Sequence, residues 1–114
     1  MRLFTLRIEG IVAHITVHAE IDYETLPTLR AATADLPPDV AELVWDLQNA
    51  HFMDVAGLHL LFEQPPQPGR ALKTTVANLA PQPLRLLLLA AEVNPALELT
   101  RLLPDTLPVA LLKD

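Results

Sequence analysis

Carboxylates are the residues of this chain with the clearest capacity for acid–base chemistry. Asp22 and Asp46 each follow a predicted strand, and a pair of carboxylates can act as general acid and general base. A structural role explains both residues more simply. We expect Asp22 to order a loop and Asp46 to end a buried strand.

The four histidines do not form a pattern typical of a metal site. His14 and His18 lie on the same face of a predicted strand, about 13 Å apart at roughly 3.3 Å per residue, which is too far to share one ion. His51 and His59 are expected to be surface residues. The chain contains no HExxH, CxxC, GxSxG or P-loop pattern. We therefore expect no metal, no cofactor and no enzymatic activity.

Composition limits the class of protein further. The 114 residues predict a single domain, 1–114, with 51% hydrophobic and 19% charged residues. Eight basic and fourteen acidic residues give a net charge of −6, which argues against direct nucleic-acid binding. There is no cysteine, no apolar signal segment at the N-terminus and no apolar run longer than Leu86–Ala91. We expect a cytoplasmic protein without a membrane span.

The hydrophobic pattern of the first half predicts a hairpin, a helix and a strand. Phe4–Glu9 and Ile11–His18 alternate apolar and polar residues around a turn at Gly10. The next helix is predicted to be capped by Thr25, to tolerate Pro27 in its first turn and to end at Pro37. Its predicted core face is Leu26, Leu29, Thr33 and Leu36. The nearly continuous apolar run Leu43–Leu47 predicts a central strand covered on both faces.

The second half continues the alternation of helices and strands. A second helix is predicted from near Asp54, with Leu58, Leu61 and Phe62 towards the core, followed by a surface loop at Pro65–Gly69. A strand at Leu72–Leu79, nearer a sheet edge, precedes a third helix from Pro81 to about Glu92. Leu97–Leu99 could add an extended piece, and Asp105 could cap a last helical turn. The predicted fold class is α/β, with a mixed four- to five-stranded sheet covered by about four helices.

One segment, Asp46–Leu58, resembles the signature of the STAS domain, the fold of anti-sigma factor antagonists. That signature is a buried strand ending in Asp-Leu, a short loop, and Asp-Ser-Ser-Gly-Leu at the start of a helix. Shorter resemblances occur in the same order along the chain. They are Ala19–Asp22, Pro27–Arg30, Gly69–Leu72 and Leu84–Leu87.

The resemblance implies a protein-binding module whose chemistry belongs to its partner. In the family, the antagonist binds an anti-sigma factor, usually a GHKL-type kinase, which phosphorylates the first serine of the motif. Val55 occupies that position here, Ala56 replaces the second serine, and the chain contains no serine at all. The resemblance therefore implies an anti-anti-sigma-like regulator that cannot be phosphorylated at the usual site.

The expected partner-binding surface surrounds this motif. Asp54 is expected to cap the helix and to present a charge, and His59 stands where the family usually has a small residue on a surface that the partner covers. The full expected set is Asp22, Asn49, Asp54, Val55, Ala56 and His59.

Two other functions stay open. One is a scaffold or subunit of a larger assembly, such as a stressosome-like particle or a lipid-transport complex. The other is a sensor of a small nucleotide or lipid. A homodimer also stays open. The surplus leucines of Leu86–Leu89 are expected either to be covered by the C-terminal segment or to form a contact surface.

Overall fold

The computed structural model describes residues 3–62 and 72–94. The predicted loop at Pro65–Gly69, the extended piece at Leu97–Leu99 and the helical turn after Asp105 lie outside these residues. The described chain contains seven elements in the predicted order. They are β1 (Phe4–Glu9), β2 (Val12–Val17), α1 (Leu26–Ala34), β3 (Glu42–Asp46), α2 (Val55–Phe62), β4 (Lys73–Ala77) and α3 (Pro81–Val93).

The strands form one mixed sheet in the order β1-β2-β3-β4. β1 and β2 are antiparallel, whereas β2, β3 and β4 are parallel. The hairpin turn uses Gly10 at a φ of +61°, a conformation that glycine adopts without a steric penalty. The α/β prediction with a mixed sheet is confirmed, with four strands and three helices among the described residues.

The sheet has one apolar face and one polar face. Side chains of the two inner strands, β2 and β3, alternate between buried and half-buried, which is the pattern of a sheet that is fully covered on one side. The buried set is Ala13, Ile15, Val17, Leu43, Trp45 and Val76. Half-buried Val44 lies on the opposite face, so the prediction that β3 is covered on both faces is wrong. An apolar run does not distinguish a strand covered on both faces from a strand covered on one face whose other face carries a single valine.

The edge strand β1 is more exposed than its alternating pattern predicts. Leu6 and Ile8 pair with Ile15 and Ala13, and therefore share the apolar face. Both keep about two-fifths of their surface exposed because β1 is the first strand of the sheet. The polar edge character predicted for β4 is confirmed at the opposite side of the sheet.

The helices cover the apolar face, with one correction to their predicted core residues. In α1 the buried residues are Leu26, Leu29 and Ala32, whereas Thr33 is half-buried and donates a hydrogen bond to the Arg30 carbonyl at 2.8 Å. A threonine can satisfy its hydroxyl on its own helix at the boundary of a core.

In α2 the buried leucines are Leu60 and Leu61, and half-buried Leu58 packs against the core, as predicted. The side chain of Phe62 lies outside the described set. In α3 the buried stripe is Pro83 and Leu87, and Leu89 and Val93 are exposed. The surplus of apolar residues predicted for this helix is therefore real, and the C-terminal segment expected to cover it lies outside the described residues.

Gly57 allows α2 to approach the segment before it. A Cβ at this position would collide with Cγ of Met53, and would lie 2.8 Å from its Sδ and 2.9 Å from Cγ2 of Ile21. Met53 and Ile21 are completely buried. The colliding side chains therefore cannot move into solvent.

We predict that Gly57→Ala destabilises the protein by about 2 kcal/mol, because overpacking outweighs the gain of about 1 kcal/mol in helix propensity. Chemical denaturation measures the difference. His59→Ala, an exposed change on the same helix, is the control and should have little effect. A Gly57→Ala protein as stable as the wild type would contradict the close approach.

Candidate functional site

The candidate site is built around a short extended segment, Phe52–Asp54, that precedes α2. Ile21 donates its N–H to the Phe52 carbonyl at 3.0 Å, and Asp54 donates its N–H to the Ile21 carbonyl at 3.1 Å. These two bonds form an isolated parallel bridge between Ile21 and Met53. The bridge brings the residue after Ile21 next to the start of α2, so Asp22 and Asp54 belong to the same region.

The other side of this segment is held by a side chain from α3. Met53 donates its N–H to Oε1 of Gln82 at 2.8 Å, and the Met53 carbonyl accepts from Nε2 of Gln82 at 3.0 Å. Gln82 was not among the residues singled out in the sequence. No local pattern identifies it, because its partner is 29 residues away and the contact is with backbone.

Asp54 caps α2, as predicted. Its Oδ1 accepts from the N–H of Ala56 at 2.9 Å and from the N–H of Gly57 at 3.3 Å. These are two of the N–H groups that a helix start leaves without a partner inside the helix. The cap fixes where α2 begins and therefore places Val55 at its first position.

Asp22 and Thr25 satisfy each other's backbone in the turn before α1. Thr25 donates its N–H to Oδ1 of Asp22 at 3.0 Å, and Asp22 donates its N–H to Oγ1 of Thr25 at 3.0 Å. This reciprocal arrangement resembles a capping box. Thr25 occupies the N-cap position of α1, as predicted, but its side chain makes no capping bond to the helix. The loop-ordering role expected of Asp22 is confirmed. Asp46 likewise orders the chain after β3, where its Oδ1 accepts from the N–H of Gln48 at 3.1 Å.

Asn49 is connected to the sheet through His18. Nδ2 of Asn49 lies 3.3 Å from Nδ1 of His18, and Nε2 of His18 lies 2.7 Å from Oγ1 of Thr5. A histidine ring offers two nitrogens for hydrogen bonds, and both are used here. His18 thus links the loop after β3 to the edge strand, a role that its place in a strand pattern did not predict.

The exposed side chains near the start of α2 are apolar. Val55 is 62% exposed, Phe52 42% and Tyr23 81%. Phe52 precedes Met53 in the chain, and Val55 follows it by two residues. Tyr23 follows Ile21, the residue that pairs with Met53, by two residues. We call Tyr23, Phe52 and Val55 the docking face. Tyr23 and Phe52 were missed in the sequence, although a lone tyrosine beside Asp22 was a usable signal.

The remaining predicted residues near this face differ in how exposed they are. Ala56 is half-buried, and exposed His59 lies one helical turn after Val55 on the same side of α2. Acidic side chains border the face, with exposed Glu20 and Glu24 beside Asp22. Among residues 3–62 and 72–94, no group of three or more His, Cys, Asp or Glu residues could hold a metal ion. The same residues include no helix that is long and apolar enough to cross a membrane.

Comparison with solved structures finds similarity to an anti-sigma factor antagonist. No protein-family model matches the chain, and no curated protein is similar enough to match it. A solved structure of the anti-sigma factor antagonist SpoIIAA in its unphosphorylated form aligns with a TM-score of 0.44 at 23% identity. The alignment covers 50% of this chain and 55% of that one, so it spans about half of each.

The cap predicts how Asp54 contributes to stability. Asp54→Ala should destabilise the protein by about 1 kcal/mol because the Ala56 N–H loses its acceptor, while the Gly57 N–H keeps the Asp54 backbone carbonyl. Asp54→Asn keeps a side-chain acceptor and should stay within about 0.5 kcal/mol of the wild type. Thermal unfolding of both variants measures the difference. Equal losses in the two variants would show that the negative charge, and not the cap, supplies the stability.

Proposed function

We propose that this chain is a protein-binding regulatory module of the anti-sigma factor antagonist type, which binds an anti-sigma factor of the GHKL kinase class. The observation that carries the proposal is the docking face at the start of α2. Three apolar side chains are exposed there on a backbone that is otherwise tightly hydrogen-bonded. Exposed apolar residues on an ordered support are typical of protein interfaces, in which aromatic residues are enriched.

The acidic residues around the docking face determine which kind of partner surface would complement it. Asp22 and Asp54 each use Oδ1 to order the backbone, and exposed Glu20 and Glu24 add negative charge at the rim. A partner with an apolar centre and a basic rim would complement this surface. Complementary charge of this kind mainly raises the rate of association and improves specificity.

Val55 makes this module a permanent binder in our proposal. A valine has no hydroxyl group to accept a phosphoryl group, and the neighbouring Ala56 offers none either. Phosphorylation at a helix start would add about −1.5 to −2 charges. Without that change, the docking face keeps the same charge whatever the activity of the partner kinase.

A second candidate function is a subunit of a larger assembly, favoured by the edge strand β1. Its Leu6 and Ile8 side chains are exposed, and no described strand pairs with its outer edge. An uncovered edge strand can pair with another chain. In this alternative, β1 rather than the docking face would form the main interface.

Val55→Glu tests the proposed function directly. The substitution places a charge on the docking face, and an unpaired charge buried by a partner should weaken binding at least tenfold. Isothermal titration calorimetry with the purified GHKL-type anti-sigma kinase of the same genome measures the effect. Folding should be unaffected, because an acidic side chain at a helix N-terminus is tolerated.

Ile11→Glu is the matched control, since it introduces the same charge at an exposed apolar position in the β1–β2 turn. It should bind the kinase as the wild type does. If Val55→Glu also binds with unchanged affinity, the docking face is not the interface and the assembly function should replace our proposal.

His59→Glu probes the extent of the interface along α2. Because His59 shares the exposed side of the helix with Val55, the substitution should weaken kinase binding by about three- to tenfold and change the unfolding free energy by less than about 0.5 kcal/mol. Unaltered affinity would place His59 outside the contact area. The titration used for Val55→Glu serves here as well.

A further inference from the structure

The backbone of Met53 is satisfied by one side chain from a distant element. Met53 is completely buried, and its N–H and carbonyl groups both bond to the carboxamide of Gln82. Buried backbone groups need such partners, because a buried donor or acceptor without one is costly. At this position water cannot easily replace a lost partner, since the residue has no exposed surface.

The two bonds have the form of a strand pairing. Ile21 bonds to Phe52 and Asp54 on one side of the segment, and Gln82 bonds to Met53 on the other. Backbone groups of an extended chain point alternately to its two sides. The Gln82 carboxamide accepts one bond through its oxygen and donates one through its nitrogen. It thus makes the two bonds that the backbone of a neighbouring strand would make.

Gln82 belongs to the first turn of α3, which is anchored in the core independently of this contact. Pro83 and Leu87 of the same helix are buried, and Pro81 favours the start of a helix at this point. The carboxamide therefore projects from a fixed support. The segment that it holds carries Phe52 and leads directly into Asp54 and Val55.

We infer that Gln82 is a positioning residue for the docking face: it holds the Phe52–Asp54 segment in the binding geometry from the side opposite to Ile21. The expected effect of Gln82 on binding rests on the proposed function. Gln82 acts through Met53 and needs no contact with the partner. Loss of the two bonds leaves the segment held on one side only, and lowers the fraction of molecules whose docking face is ready to bind.

Gln82→Met is the test variant, because methionine has a similar length and volume but neither bonds to Met53. Amide hydrogen exchange measured by NMR should show the Met53 N–H exchanging about tenfold faster or more, since its acceptor is lost. The amides of Ile15 and Trp45 in the central strands should change much less. Unchanged protection at Met53, or an equal rise at all three amides, would overturn the inference.

Arg85→Met is the matched control, since it introduces the same side chain at an exposed position of the same helix. It should leave both exchange and kinase affinity as in the wild type. Gln82→Met should weaken binding of the GHKL-type kinase by about three- to tenfold as the ready fraction falls. Faster exchange at Met53 without a loss of affinity would reduce Gln82 to a structural residue and overturn the inference.

Gln82→Glu separates the two bonds. A carboxylate still accepts from the Met53 N–H but cannot donate to the Met53 carbonyl. The Met53 amide should therefore stay protected while kinase affinity still falls by about threefold or more. Wild-type affinity in Gln82→Glu would contradict a requirement for both bonds. Failure of the proposed function is recognised separately, by unchanged binding of Val55→Glu.

Discussion

The arrangement of the candidate site depends on one extended residue, Met53, whose backbone must be paired on a segment that belongs to no strand of the sheet. Ile21 bonds to the residues on either side of it, and Gln82 bonds to Met53 itself. The Asp54 cap follows immediately, so the start of α2 is positioned by the same pairing. Gly57 then allows the helix to pack directly against the Met53 side chain. These contacts place Val55 outside and Met53 inside within three residues.

The polarity of the site follows from this arrangement. Carboxylates that would otherwise be free to move are used to order backbone, Asp22 before α1 and Asp54 before α2. Because these hydrogen bonds hold the carboxylates in place, their negative charges lie at fixed positions beside apolar side chains. A surface of this kind combines a desolvation gain at its centre with directional charge at its rim, which is how specific protein interfaces are built.

Most of the fold could be predicted from local patterns, and most of the support of the site could not. Alternation and a single glycine predict the β1–β2 hairpin, and an aspartate before an apolar helix predicts the Asp54 cap. The position of half-buried Val44 on the polar face could not be predicted, because an apolar run is compatible with one covered face or two. The sequence places Thr25 correctly at the N-cap, but its reciprocal bonds with Asp22, three residues earlier, could not be predicted. Gln82 could not be found at all, since a side chain that replaces a strand leaves no periodic trace in the sequence.

The long separation between the partners of Met53 has a consequence for the order of synthesis. Ile21 and Gln82 lie 32 residues before and 29 residues after Met53 in the chain, respectively. During synthesis, Ile21 therefore leaves the ribosome well before Gln82 does. The α2 start can acquire its second support only after the first turn of α3 has left the exit tunnel. A translation product truncated before α3 therefore lacks the second support of the α2 start.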